Sequence, residues 1–170
     1  MIQVCSKGKL MKIADILRGD LVIPDLVSKT KKEVIEELVA IISQRDNSID
    51  KTELTEVLLE REKLGSTGIG DGIAIPHGKL KNIDTLLASF GRSIEGVGFE
   101  SMDGRPTHLF FLLVAPKNSA GIHLKALARI SRLLKDSSFR KNLMEAGSKE
   151  ELFKTIIEKD EKEDNLRGNK

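Results

Sequence analysis

Apolar residues recur along this chain at two different periods, and the switches between them divide it into elements. From 30 to 44, Val34, Leu38, Ile41 and Ile42 return at helical spacing. A second helical pattern covers 50–63, with Leu54, Val57, Leu58 and Arg61 along one face and Asp50 or Thr52 as its N-cap. After a glycine-rich loop, "GIAIP" reads as a strand, and "LLASFGRSI" (86–94) alternates like another. "HLFFLLVA" (108–115) is apolar at nearly every position, the pattern of a strand buried on both faces. "DLVIPDLV" (20–27) is a short strand or turn interrupted by Pro24. Helices follow at 120–135, 137–145 and 148–159, the last two separated by Gly147 as stop and Ser148 as cap.

Strands flanked by helices imply an α/β class, a mixed β-sheet covered by helices on both faces as an α/β sandwich. The order is not a regular βαβ repeat, which argues against a Rossmann fold. No internal repeat or low-complexity linker breaks the pattern, so a single domain is expected over 11–159. Residues 1–10 read as a loose N-terminal extension and 160–170 as a polar, frayed tail.

Composition narrows the function. Net charge is only +2, and the one dense basic block, "KTKK" at 29–32, opens a helix pattern. Trp and Tyr are absent, which removes the stacking platforms of single-strand binders, so no nucleic-acid partner is expected. The single cysteine, Cys5, cannot form a disulfide framework or a zinc knuckle. The longest apolar run, Leu109 to Pro116, is far short of the ~20 residues a spanning helix needs. The N-terminus lacks a secretory pattern. These features predict a cytoplasmic protein without membrane insertion. The three histidines are scattered without metal-ligand spacing, so neither a metal nor a cofactor is expected.

The chemistry concentrates in "GSTGIGDGIAIPHGKL", Gly65 to Leu80. Pro76 stiffens the strand end, so His77 is expected to emerge there. Gly78, lacking a Cβ, leaves room for another molecule beside the imidazole. The glycines, with Ser66 and Thr67 among them, can turn several N–H groups toward one anion. Together these are the parts of a phosphate site beside a nucleophile. The loop lacks GK[ST], so it is not a P-loop, and no helix follows where a dinucleotide fingerprint requires one.

Two further residues bear on this reading. Arg61 occupies a helix stripe where a leucine is expected; its guanidinium fits phosphate oxygens, or it serves as a cation near a helix C-terminus with its stem buried. His123 lies in line with Leu127, Ile130 and Leu134 and faces the core at a helix start. It is either a neutral hydrogen-bond donor to a phosphate or to His77, or a buried core histidine. His108 reads as structural.

"LEREKLGSTGIGDGIAIPHGKL", Leu59 to Leu80, resembles the active-site signature of the fructose/mannitol-type (type 2) IIA domains of the bacterial phosphotransferase system, most of all the nitrogen-regulatory IIA branch. The likeness runs from about Met11 to Lys159 and includes "KIADIL", "DGRPTHLFFLLVAP", "IHLKALARISRLL" and "SKEELFKTI". The resemblance implies a phosphocarrier. His77 would accept a phosphoryl group from an HPr-type donor, Arg61 would stabilise that group, and His123 would lie beside the acceptor. Ser66, Thr67 and Gly68 would line the phosphoryl site, and Ile75, Pro76 and Gly78 would form a docking rim. The implied partners are that donor and either regulatory targets or a IIB protein. A sugar-specific IIA component passing the group to a separate IIB protein is the alternative within the family. A binding module whose histidine does not turn over is the alternative from another class.

Overall fold

The structure, a computed structural model, describes residues 11–168. The extension assigned to 1–10, with Cys5, lies outside the described residues, as do 169 and 170. Two 3-10 turns lead into strand β1 (Val22–Ile23) and helices α1 (Lys31–Arg45) and α2 (Lys51–Lys63). Strands β2 (Gly68–Gly70), β3 (Ile73–Ala74), β4 (His77–Leu80), β5 (Leu87–Val97) and β6 (Thr107–Pro116) follow. Helices α3 (Ala120–Leu134), α4 (Ser137–Glu145) and α5 (Lys149–Gly168) close the chain. No helix among the described residues is long and apolar enough to cross a membrane.

The sheet is mixed, ordered β1-β5-β6-β3-β2, with β4 also pairing β6. Strand β6 is the spine. It runs antiparallel to β5 and parallel to both β3 and β4, and residues 109–115 are buried without exception. The expected strand at "GIAIP" is therefore one strand in two pieces. Ile73 and Ala74 pair with Leu109 and Phe110, the pairing is interrupted at Ile75–Pro76 without a change of register, and His77 to Leu80 pair with Leu113 to Pro116. Pro76 has no N–H to give the ladder, but its carbonyl accepts the Leu113 N–H at 2.9 Å. His77 thus opens a strand rather than ending one.

Helices cover both faces of the sheet. Successive strand residues point to opposite sides. On one side, the absent Cβ of Gly78 would stand 2.8 Å from Val57 Cγ1 of α2. On the other, His77 meets His123 of α3. Helix α2 is capped by the Asp50 carboxylate, which accepts the Glu53 N–H, so the cap is Asp50 and not Thr52.

The last helix corrects the expected tail. Residues 160–168 continue α5, and Asp160 is only 1% exposed. Its carboxylate accepts the Ile13 N–H at 2.8 Å and the Arg129 Nε–H at 2.5 Å, while Asp164 takes Arg129 Nη2 at 2.7 Å. The apolar period ends before the helix does, because an ion pair rather than a leucine holds this turn.

Candidate functional site

The strand opening at His77, the start of α3 and the end of α2 converge. The His77 and His123 rings lie edge to face, centroids 5.5 Å apart with an interplanar angle of 77°. His77 is half-buried and His123 only 6% exposed. His77 Nδ1 stands 2.8 Å from the Ile75 carbonyl. A carbonyl only accepts, so Nδ1 carries the proton and Nε2 keeps its lone pair. Burial lowers the His77 pKa, and the nearby Arg61 charge lowers it further; the bond to Ile75 and the Glu62 charge oppose them. His123 is pushed down to about 4, first by burial and then by the charges of His77 and Lys79. Both rings are therefore neutral at pH 7. His123 Nε2 is buried with no hydrogen-bond partner among the described residues.

Arg61 is part of this site, but not as its helix stripe suggested. The buried face of α2 runs through Leu54, Thr55, Leu58 and Glu62, and Arg61 is half-exposed beside it. One guanidinium N–H bonds the Gly65 carbonyl at 2.9 Å, and its charge reaches His77. The residue missed is Glu62, 7% exposed, whose position four after Leu58 on the same helix face was the available signal.

The loop does something other than expected. Gly70, Asp71 and Gly72 take φ of 94°, 56° and 76°, building the tight turn between β2 and β3. Several of its donors are already taken. Glu62 accepts both the Thr67 N–H and hydroxyl, Ser66 Oγ accepts the Gly68 N–H at 3.1 Å, and Asp103 accepts the Asp71 N–H at 3.0 Å. The Ser66 hydroxyl in turn bonds the Phe99 carbonyl at 2.8 Å. The anions this nest serves include the protein's own carboxylates: the Thr67 and Gly68 N–H groups and the Ser66 and Thr67 hydroxyls are engaged within the protein.

The expected docking rim is also corrected. Ile75, Pro76 and Gly78 are buried, and Gly78 makes room for Val57 and Leu58 of α2 rather than for a visitor. The apolar side chains exposed near the site are instead Leu64 (85%), next to the loop, and Ile122 (50%) and Leu124 (68%), on either side of His123. His108 lies outside the site, its Nδ1 on the Ser93 carbonyl at 2.9 Å and its ring against Gly72 and Gly96.

The family described as "Phosphoenolpyruvate-dependent sugar phosphotransferase system, EIIA 2" matches residues 15–159. The chain belongs to this EIIA 2 family. Relatives of this EIIA 2 chain carry two kinds of name. A nitrogen regulatory protein of Bradyrhizobium diazoefficiens is 40% identical over 146 residues, covering 86% of this chain and 95% of that protein. The fructose-specific EIIABC component of Bacillus subtilis is 39% identical over 150 residues, covering 88% of this chain but only 24% of that longer protein. The nitrogen regulatory protein IIA-Ntr of Neisseria meningitidis superposes with a TM-score of 0.80 at 36% identity, covering 85% of this chain and 98% of that one. The Escherichia coli mannitol enzyme IIA, solved as a complex with phosphorylated enzyme IIB, superposes at 0.70 with 23% identity over 82% of this chain and 96% of that one, which shows a shared EIIA 2 fold.

Proposed function

We propose that this EIIA 2 chain is a histidine phosphocarrier, accepting a phosphoryl group on Nε2 of His77 from the phosphohistidine of an HPr-type donor and acting in regulation. The observation that carries this reading is the 2.8 Å bond from His77 Nδ1–H to the Ile75 carbonyl, which leaves the other nitrogen of a neutral, half-buried ring free to attack. Nε2 attacks phosphorus in line as the donor's P–N bond breaks, and the electron pair of that bond returns to the donor ring. The positive charge gained by the His77 ring is stabilised through Nδ1–H by the Ile75 carbonyl. Little covalent chemistry is left to the protein, so placement and charge do most of the work. The free donors of Arg61 would take phosphoryl oxygens. His123, neutral and with Nε2 unpartnered among the described residues, would donate or accept there without adding charge. Leu64, Ile122 and Leu124 would meet the visiting protein.

A sugar-specific role, passing the group to a IIB protein, is the second reading; the 39% identity to the fructose-specific EIIABC component favours it. Incubation with phosphoenolpyruvate, enzyme I and HPr-type proteins tests the shared claim. One phosphoryl of added mass, absent in His77→Ala, is the expected result, and no gain with any cognate donor overturns it in favour of a binding module. Loss of the label to an added IIB protein would select the sugar-specific role.

A further inference from the structure

Glu62 costs the fold something, since a buried carboxylate is unfavourable unless fully paired. A leucine would continue the α2 face without that cost. The partners of Glu62 explain its presence. Its Oε2 accepts the Lys31 ammonium at 2.9 Å and the Thr67 N–H at 3.2 Å, and its Oε1 accepts the Thr67 hydroxyl. Lys31 lies 4.8 Å from the centroid of the Phe99 ring, which holds the ammonium from a second side. The hydrogen bonds continue past Thr67. Its carbonyl accepts the Ile75 N–H at 3.1 Å, and the Ile75 carbonyl accepts His77 Nδ1–H at 2.8 Å. An unbroken path therefore runs from the first residue of α1, through the end of α2 and the loop, to the ring nitrogen of His77.

We infer that Glu62, held by Lys31, is a positioning residue: through Thr67 and Ile75 it fixes the His77 ring with Nδ1 protonated and Nε2 presented outward. This rests on the reading of His77 as the acceptor, but it concerns the ring's tautomer and can be tested separately. Residues Ile75 and Pro76 lie in the gap between the β3 and β4 pairings, where the ladder to β6 is interrupted. The Thr67 carbonyl supplies the anchor missing there. Thr67 in turn is placed by two bonds to one carboxylate.

The test is the ring-nitrogen NMR of His77 in full-length protein at a pH where the imidazoles are neutral. The three histidines are assigned by single substitution. The wild type should show Nδ1 protonated. Thr67→Val and Glu62→Gln should each mix the two tautomers and slow phosphoryl acceptance about tenfold with KM for the donor unchanged. Lys31→Met, which keeps an unbranched side chain of similar length without the ammonium, should act in the same direction if Glu62→Gln fails to fold. Thr67→Ser, retaining the hydroxyl, should recover the single tautomer. A wild-type ring protonated at Nε2 overturns the inference. So do variants with the wild-type tautomer and rate, even where their melting temperature falls. The tautomer measurement needs no donor, so a chain that takes up no phosphoryl group defeats the carrier reading and leaves this one decided by the nitrogen shifts.

Discussion

The ring of His77 points edge to face at that of His123, the centroids 5.5 Å apart. Two imidazoles at this separation resist being charged together, and burial adds to that resistance. The unfolded chain binds protons on these rings as pH falls through about 6.5, whereas folded His123 waits until about 4. The unfolded state therefore gains protons that the native state refuses. The stability at stake is intact above about pH 6.5, falls as pH drops, and is lost by about pH 4, roughly 2–3 kcal/mol for His123. The lowered His77 pKa works in the same direction. Urea unfolding between pH 4 and 8 should show His123→Gln with a shallower decline than wild type; parallel curves would sink this account.

Arg61 makes one described hydrogen bond, to the Gly65 carbonyl, and is half-exposed. Arg61→Ala should therefore cost about 1 kcal/mol of stability or less. Its charge lowers the pKa of the His77 ring, so under the proposed carrier role the same change should slow phosphoryl acceptance about a hundredfold. Transfer kinetics and chemical denaturation on the one variant separate these effects. A collapse of the fold would make Arg61 structural.

Leu64 and Ile122 stand exposed on either side of the histidine pair's sequence surroundings, one at the end of α2 and one at the start of α3. Leu64→Glu and Ile122→Glu should raise KM for the donor about tenfold or more, leave maximal turnover close to wild type, and leave the melting temperature unchanged. Unaltered donor kinetics in both would move the docking surface elsewhere.

Asp160 joins three elements, holding Arg129 of α3 and the Ile13 N–H from helix α5. Asp160→Ala should lose about 2–4 kcal/mol, because Arg129 stays buried with its charge half-matched, and a chain ended after Lys159, which also lacks Asp164, should lose at least as much. Urea denaturation at pH 7 measures the loss. Wild-type stability in the shortened chain would return 160–168 to the status of a tail.

The sheet's spine and the starts of the helices were readable because burial on both faces and N-caps leave local marks, as at Leu109–Ala115 and Asp50. The meeting of the His77 and His123 rings was foreshadowed by the motif around His77 and by His123's place in an apolar stripe, whereas the stripe position of Arg61 misled. The loop's purpose was not. Whether the N–H groups of Thr67 and Gly68 face a ligand or the protein's own oxygens depends on Glu62 and Ser66, and adjacency in sequence does not reveal which way they turn. Gly78 raised the same ambiguity. A missing Cβ marks a close approach without naming the neighbour, and that neighbour is α2. Asp160 escaped because an ion pair repeats at no fixed period.

Strands β3 and β4 share one edge of β6, so the His77 ring rides on backbone tied to the innermost strand of the molecule. On the carrier role proposed above, the travel would fall to the visiting proteins. Donor and recipient would then approach one socket in turn, so that its occupancy by either would silence the other.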